Sequence, residues 1–379
     1  MESAESILCK VASEAVPCLR VFQISTDDEL SYPMHHTKLV QPLFSSSTPS
    51  LHTMTMSGIG PMKCGALPAN LTHLELKVNL VDDGFSPKDF AIFLNSAAPT
   101  LRYIVLEGIV IAFDLSEKPS AKIELPALVS LNIRYPIWGD AISYIEDLWS
   151  CIRTSALQDL TLCNLNDAEL HDTMRAIQDQ REQGRFAEIK SLCLEDTYMN
   201  HYTSPDYVPE EFYTADSMVD DLMMAFPKVC ILMLSGDAVV SVLNLMLETD
   251  RKNVCSDTGT LWPNLQCLIV VHPQETLLRD VVLSRKAVGH PISELKIQKS
   301  RGFSDKTTDW LRRRVPKFST SNYISRAGVV SYFLRRLFKH CLISVLRSMT
   351  GCYLNRVTTC SCPCIDWQYG GHMEDFNSN

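Results

Sequence analysis

One short pattern, Leu-x-x-Leu-x-Leu, recurs ten times along this chain. Its cleanest copy is Leu71-Thr72-His73-Leu74-Glu75-Leu76, which runs on to Asn79 and Val81. With Ile, Val, Met or Phe accepted at the leucine positions, the units open at Leu19, Leu51, Leu71, Leu101, Leu128, Leu157, Ile189, Val229, Leu265 and Ile292. First positions advance from 19 to 292 in nine steps, a mean period of about 30 residues. A proline stands two residues ahead of six units, at Pro17, Pro49, Pro99, Pro126, Pro227 and Pro263. Proline ends a preceding helix, so it hands the chain to the next strand. A fixed period constrains the fold strongly, because each unit can bury its apolar side only against its neighbours.

Helical spacing appears between the units. Ser86-Pro87 reads as a cap followed by proline at the first helical position, with Phe90, Phe93 and Leu94 on one face. Asn166 and Glu169 read as a capping box, followed by Leu170, Met174 and Ile177. Asp140 precedes the apolar series Ile142, Ile145, Trp149 and Ile152; Met218 to Phe226, Val240 to Leu247 and Asp305 to Val315 read likewise. Strand, loop and helix in repetition predict an α/β leucine-rich-repeat solenoid of ten irregular repeats, with parallel strands on the concave face and helices on the convex face. The competing α/β fold is a doubly wound sheet. Its strands are usually continuous apolar runs, whereas polar residues such as Glu75, Lys77, Asn132 and Asp159 sit between the leucines here.

The expected organisation is a short N-terminal cap at 1–16, the solenoid at 17–315, and a basic, cysteine-containing tail at 316–379. Within that tail, residues 326–347 mix apolar and basic positions. They read either as a membrane-surface helix or, in the favoured reading, as a helix packed on the solenoid end or a poorly ordered extension. The start Met1-Glu2-Ser3-Ala4-Glu5 lacks the pattern of a secretory signal, and no run of about 18 apolar residues is present. Fourteen cysteines without such a signal point to free thiols in a reducing compartment, so a cytoplasmic or nuclear location is expected. Residues 301–379 hold 12 Lys and Arg against 5 Asp and Glu, which leaves 23 against 39 in residues 1–300. So acidic a repeat region is not expected to bind nucleic acid.

Catalytic signatures such as G-x-S-x-G, H-E-x-x-H and the phosphate-binding glycine loops are missing from the sequence. Cys360-Ser361-Cys362-Pro363-Cys364 has gaps of one residue, too tight for the usual zinc pairing. No metal or cofactor is expected, and the chain reads as a binding protein and not an enzyme.

Strand alternation then locates a binding face, because positions three, five and seven of each unit point away from the core. The early and middle positions are polar: His73, Glu75, Lys77, Tyr103, Glu107, Asn132, Arg134, Asp159 and Glu195. The late positions are apolar: Ile231, Met233, Cys267, Ile269 and Val271. The longest step, from Ile189 to Val229, carries Tyr198, Tyr202, Tyr207, Phe212 and Tyr213. That loop and the apolar patch together are expected to hold a protein partner, unless the loop or the tail covers the patch instead. The alternative class is an enzyme with its active site in the 195–216 loop, and a third is a membrane-peripheral protein using the tail.

Residues 17–315 resemble the leucine-rich-repeat region of fungal F-box-like proteins. The resemblance rests on Trp262-Pro263-Asn264-Leu265-Gln266-Cys267-Leu268, on Leu277-Leu278-Arg279-Asp280, on Gly289-His290-Pro291-Ile292 and on Asp309-Trp310-Leu311. It implies the substrate-recognition part of an SCF-type ubiquitin-ligase receptor, with a ubiquitylation substrate as partner. Eighteen residues precede the first repeat, fewer than an F-box needs, so no F-box residue is carried over. Binding to a cullin-RING adaptor is expected only if that module lies upstream.

Overall fold

The structure is a computed structural model and describes residues 17–25, 48–57, 66–78, 84–113, 122–135, 142–182, 184, 189–197, 215–253, 260–298 and 303–321. Its centre is a parallel sheet of eleven strands. In chain order the strands are β1 (Val21–Ser25), β2 (Thr53–Ser57), β3 (His73–Val78), β4 (Tyr103–Gly108), β6 (Ser130–Arg134), β8 (Asp159–Cys163), β9 (Ser191–Glu195), β10 (Ile231–Ser235), β11 (Cys267–Val271), β12 (Glu294–Gln298) and β13 (Lys317–Ser321). A separate two-stranded pair joins β5 (Ile123–Glu124) to β7 (Ile152–Arg153). Each strand of the large sheet lies beside the one before it in sequence. A doubly wound sheet reverses its strand order at a switch point, so the unbroken order sets that fold aside.

Register follows the repeat residue by residue. The fourth residue of each unit pairs with the fourth of the next, from Phe22↔Met54 and Met54↔Leu74 through to Leu295↔Phe318. The fourth and sixth residues therefore stack in two continuous apolar rows. Leu74, Leu76, Leu160, Leu162, Leu232 and Leu234 are all buried there, in one core with the inward faces of the helices. Among the described residues seven helices supply those faces: α1 (Pro87–Asn95), α2 (Ile142–Cys151), α3 (Asp167–Glu182), α4 (Ala215–Ala225), α5 (Ala238–Asn253), α6 (Glu275–Ala287) and α7 (Asp305–Arg312).

Local chemistry starts the helices where the sequence places caps. The Ser86 side chain accepts a hydrogen bond from the Asp89 amide, and Pro87 fills the first turn of α1. Phe90, Phe93 and Leu94 then face the core. At α3 the Asn166 amide donates to Glu169 Oε2 at 2.8 Å, and the Glu169 amide donates to Asn166 Oδ1 at 2.9 Å, the reciprocal capping box. Helix α7 is capped by Ser304, and Glu275 of α6 accepts bonds from Ser304 and from the Thr307 hydroxyl, which ties the last helix to its neighbour. Ile152 departs from the helical reading: α2 stops at Cys151, and Ile152 opens β7.

A shared turn carries the chain off the sheet. Asn164, Asp196, Gly236 and His272 each follow a strand directly, and each has a positive φ of between 50° and 63°. Apart from glycine, Asn, Asp and His are the residues that best tolerate this conformation. The turns interlock: the amides of Asn164, Asp196 and His272 donate to the carbonyls of Glu195, Ser235 and Gln298, at 3.0, 3.2 and 3.0 Å.

The sheet also runs past the expected boundary at residue 315. Strand β13 adds an eleventh member, with Phe318 opposite Leu295 and Thr320 opposite Ile297.

Candidate protein-binding face

Residues three, five and seven of the units lie on the sheet face opposite the helical core. From β3 to β8 this open face is mostly polar and half-buried, with Val105 apolar and Cys163 fully buried. Its charged side chains are joined across strands. The Thr55 hydroxyl donates to Glu75 Oε2 at 3.3 Å, and Lys77 Nζ lies 3.3 Å from Glu75 and 3.4 Å from Glu107. Arg134 continues the ladder, 3.6 Å from Glu107 and 3.3 Å from Glu195. One line of alternating charge thus crosses from β3 to β9. Burial disfavours the Arg134 charge, but the carboxylates of Glu195 and Glu107 beside it offset that cost, and its pKa lies above the usual arginine value. The exposed members, Lys77 and Glu107, contribute little to stability singly. Their role is to set the pattern of charge on the face.

An aromatic pair stands beside this ladder. The rings of His73 and Tyr103 stack at 4.3 Å with 17° between planes. His73 also shares a 2.8 Å hydrogen bond with the Thr72 hydroxyl. Burial, then the neighbouring His52 and Arg102 side chains, lower the His73 pKa from its ordinary value of 6.5.

Toward β9 the character changes. Cys163 Sγ lies 3.5 Å from Glu195 Oε2 and 3.8 Å from Asn132 Oδ1. Burial drives the Cys163 thiol far above its ordinary value, and pushes Cys193 up to about 12. Thiols held protonated in this way are poor nucleophiles. The six described cysteines, Cys18, Cys151, Cys163, Cys193, Cys230 and Cys267, are all free.

The late apolar residues come together as alternation requires, with Ile231 beside Cys267 and Met233 beside Ile269 across β10 and β11. Their exposure differs from expectation. Ile231, Met233, Cys267 and Ile269 are buried, at 9% exposure or less, and Val271 is half-buried. They lie outside the helical core cluster, yet they do not form a free surface. The residues expected to form an apolar patch therefore adjoin, with four of the five buried and Val271 half-buried. Tyr198, Tyr202, Tyr207, Phe212 and Tyr213 lie outside the described residues, as do most of the 195–216 loop, the tail helix reading and the Cys360–Cys364 cluster.

Among the described residues no group of three or more His, Cys, Asp or Glu is placed to hold a metal ion, and no helix is long and apolar enough to cross a membrane. The sequence reading passed over one further group. Arg20, His52 and Arg102 each stand one residue ahead of a strand and become neighbours only when the units stack. No family model matches the chain, and no curated protein matches it.

Proposed function

We propose that this chain is a non-catalytic protein-binding scaffold of the leucine-rich-repeat type, acting through the open face of its sheet. The observation that carries this reading is the half-buried polar strip from β3 to β8, where Glu75, Lys77, Glu107 and Arg134 form a crosslinked charge pattern beside the His73–Tyr103 stack. A fixed array of charges with an aromatic platform suits recognition of a protein surface. The buried, protonated thiols in the same face offer no activated nucleophile, which weighs against chemistry there.

Within that class, the resemblance to F-box-like repeat regions supports a role as the substrate-holding half of an SCF-type ubiquitin-ligase receptor in the cytoplasm or nucleus. On this proposal the partner is a protein destined for ubiquitylation, and the adaptor is engaged only through an upstream F-box.

The test is affinity capture by the full chain compared with a Tyr103→Ala/Asn132→Arg variant that folds normally. The proposal expects a protein partner that the parent chain retains and the variant loses. Capture of the same proteins by both, together with thermal stabilisation by a metabolite or metal ion, would overturn it in favour of an enzyme.

A further inference from the structure

The cations of the open face are neutralised, with Lys77, Arg134 and Lys296 each lying against a carboxylate. The edge where the strands begin is different. The His52 amide donates to the Arg20 carbonyl at 3.1 Å, the Thr72 amide to the His52 carbonyl at 2.9 Å, and the Arg102 amide to the Thr72 carbonyl at 2.9 Å. These bonds put Arg20, His52, Thr72 and Arg102 side by side at the start of β1 to β4. Arg20, His52 and Arg102 are exposed. Among the described residues, neither arginine has a carboxylate within ion-pair distance. His73 adjoins the same corner, one residue after Thr72. Among the described residues, then, two arginines without an acid partner share one corner of a chain whose first 300 residues hold 39 acids against 23 bases.

We propose that this corner seats an extended acidic segment of the protein partner, a deepening that rests on the protein-binding reading above. Spacing supports an extended ligand. Neighbouring strands lie about 4.8 Å apart, so Arg20 and Arg102 stand about 14 Å apart over three steps. Alternate residues of an extended peptide recur at about 6.7 Å, so acids at i and i+4 span the same distance. An acid at i+2 then falls midway, between His52 and Thr72 at the starts of β2 and β3. The guanidinium forks grip carboxylates in two-pronged fashion, and no like charge has to be displaced. A nucleic acid is the poorer fit, because a long polyanion would leave the corner and run over the acidic surface around it.

The experiment is fluorescence anisotropy on the full chain with a fluorescein-labelled decapeptide of alternating Ser and Glu. The comparisons are its Ser and Gln counterpart and a single-stranded DNA oligonucleotide, all at about 0.15 M salt. The expected result is binding of the Glu peptide alone, weakened about tenfold or more by Arg20→Glu/Arg102→Glu. Arg251→Glu/Lys286→Glu, with the same charge change on α5 and α6, should leave it nearly unchanged. Lack of binding by the Glu peptide, equal loss in both double variants, or tighter binding of the oligonucleotide would overturn the proposal. If the partner captured through Tyr103 and Asn132 is indifferent to Arg20→Glu/Arg102→Glu, the acidic-segment proposal fails while the protein-binding reading stands.

Discussion

The pair Asp250 and Arg285 yields a prediction whose sign depends on which partner is removed. Both side chains are wholly buried, Asp250 in α5 and Arg285 in α6. Arg285 Nη1 lies 3.5 Å from Asp250 Oδ1 and donates to the Leu261 carbonyl at 2.8 Å, while Nη2 donates to the Trp262 carbonyl at 2.8 Å. The guanidinium therefore ties two helices to the turn that leads into β11. Asp250→Ala removes the anion and strands a charge that arginine cannot shed, a loss of about 3–5 kcal/mol. Arg285→Met leaves a carboxyl that can take up a proton. Burial already raises the Asp250 pKa above 3.8, with Arg285 pulling the other way, and removing Arg285 raises it further. A raised folded-state pKa favours the fold fully below the unfolded value, and that advantage is lost as pH rises through the folded value. The defect of Arg285→Met should therefore be smallest near pH 4 and grow toward neutral pH. The double variant Asp250→Leu/Arg285→Met should recover most of the loss, since apolar replacement of a buried pair is often neutral or better. Urea unfolding followed by circular dichroism, with unchanged m, measures all three. A loss below about 1 kcal/mol for Asp250→Ala, the scale of an exposed ion pair, would refute the reasoning.

Four further outcomes follow from local geometry. Gly236→Ala should cost more than about 1 kcal/mol, because φ is +63° and the new Cβ would lie 2.5 Å from Asp196 Oδ1. Gly289→Ala should cost less in the same unfolding assay, since its Cβ meets nothing within 4 Å. Asn166→Ala breaks one arm of the α3 capping box and should cost about 1 kcal/mol; no shift in the urea midpoint would contradict the assigned cap. Met233→Glu with Ile269→Glu buries two unpaired carboxylates and should unfold the chain or lower its melting temperature sharply. A folded, fully stable double variant would show that the patch is solvent-accessible after all.

The strands of the ten repeat units were legible because the pattern fixes both strand position and register. Leu74 aligns with Ile104 and Leu131 as its place in the unit requires. The eleventh strand was hidden by one residue: Val315 and Phe318 occupy the first and fourth positions, but Thr320 stands at the sixth. Strands β5 and β7 are two residues each and carry no periodicity to read. Ile152 continued a helical spacing, yet the chain leaves the helix at Cys151 to pair with Ile123. Alternation places Ile231, Met233, Cys267 and Ile269 on one face, but it does not tell how far each is buried, since burial depends on atoms distant in sequence. Asp250 and Arg285 are 35 positions apart, and the charged ladder links Glu75 to Glu195. Such partners appear only once the stacking of units is known.

The central claim is that the open face, and not the helical side, meets a protein partner. The most direct measurement places a photo-cross-linking residue at Asn132, on the open face, or at Ile92, 56% exposed on α1, and irradiates the full chain in cell extract. The account predicts discrete protein adducts from position 132 that are absent from position 92. Identical adducts from both positions, or adducts from position 92 alone, would contradict it.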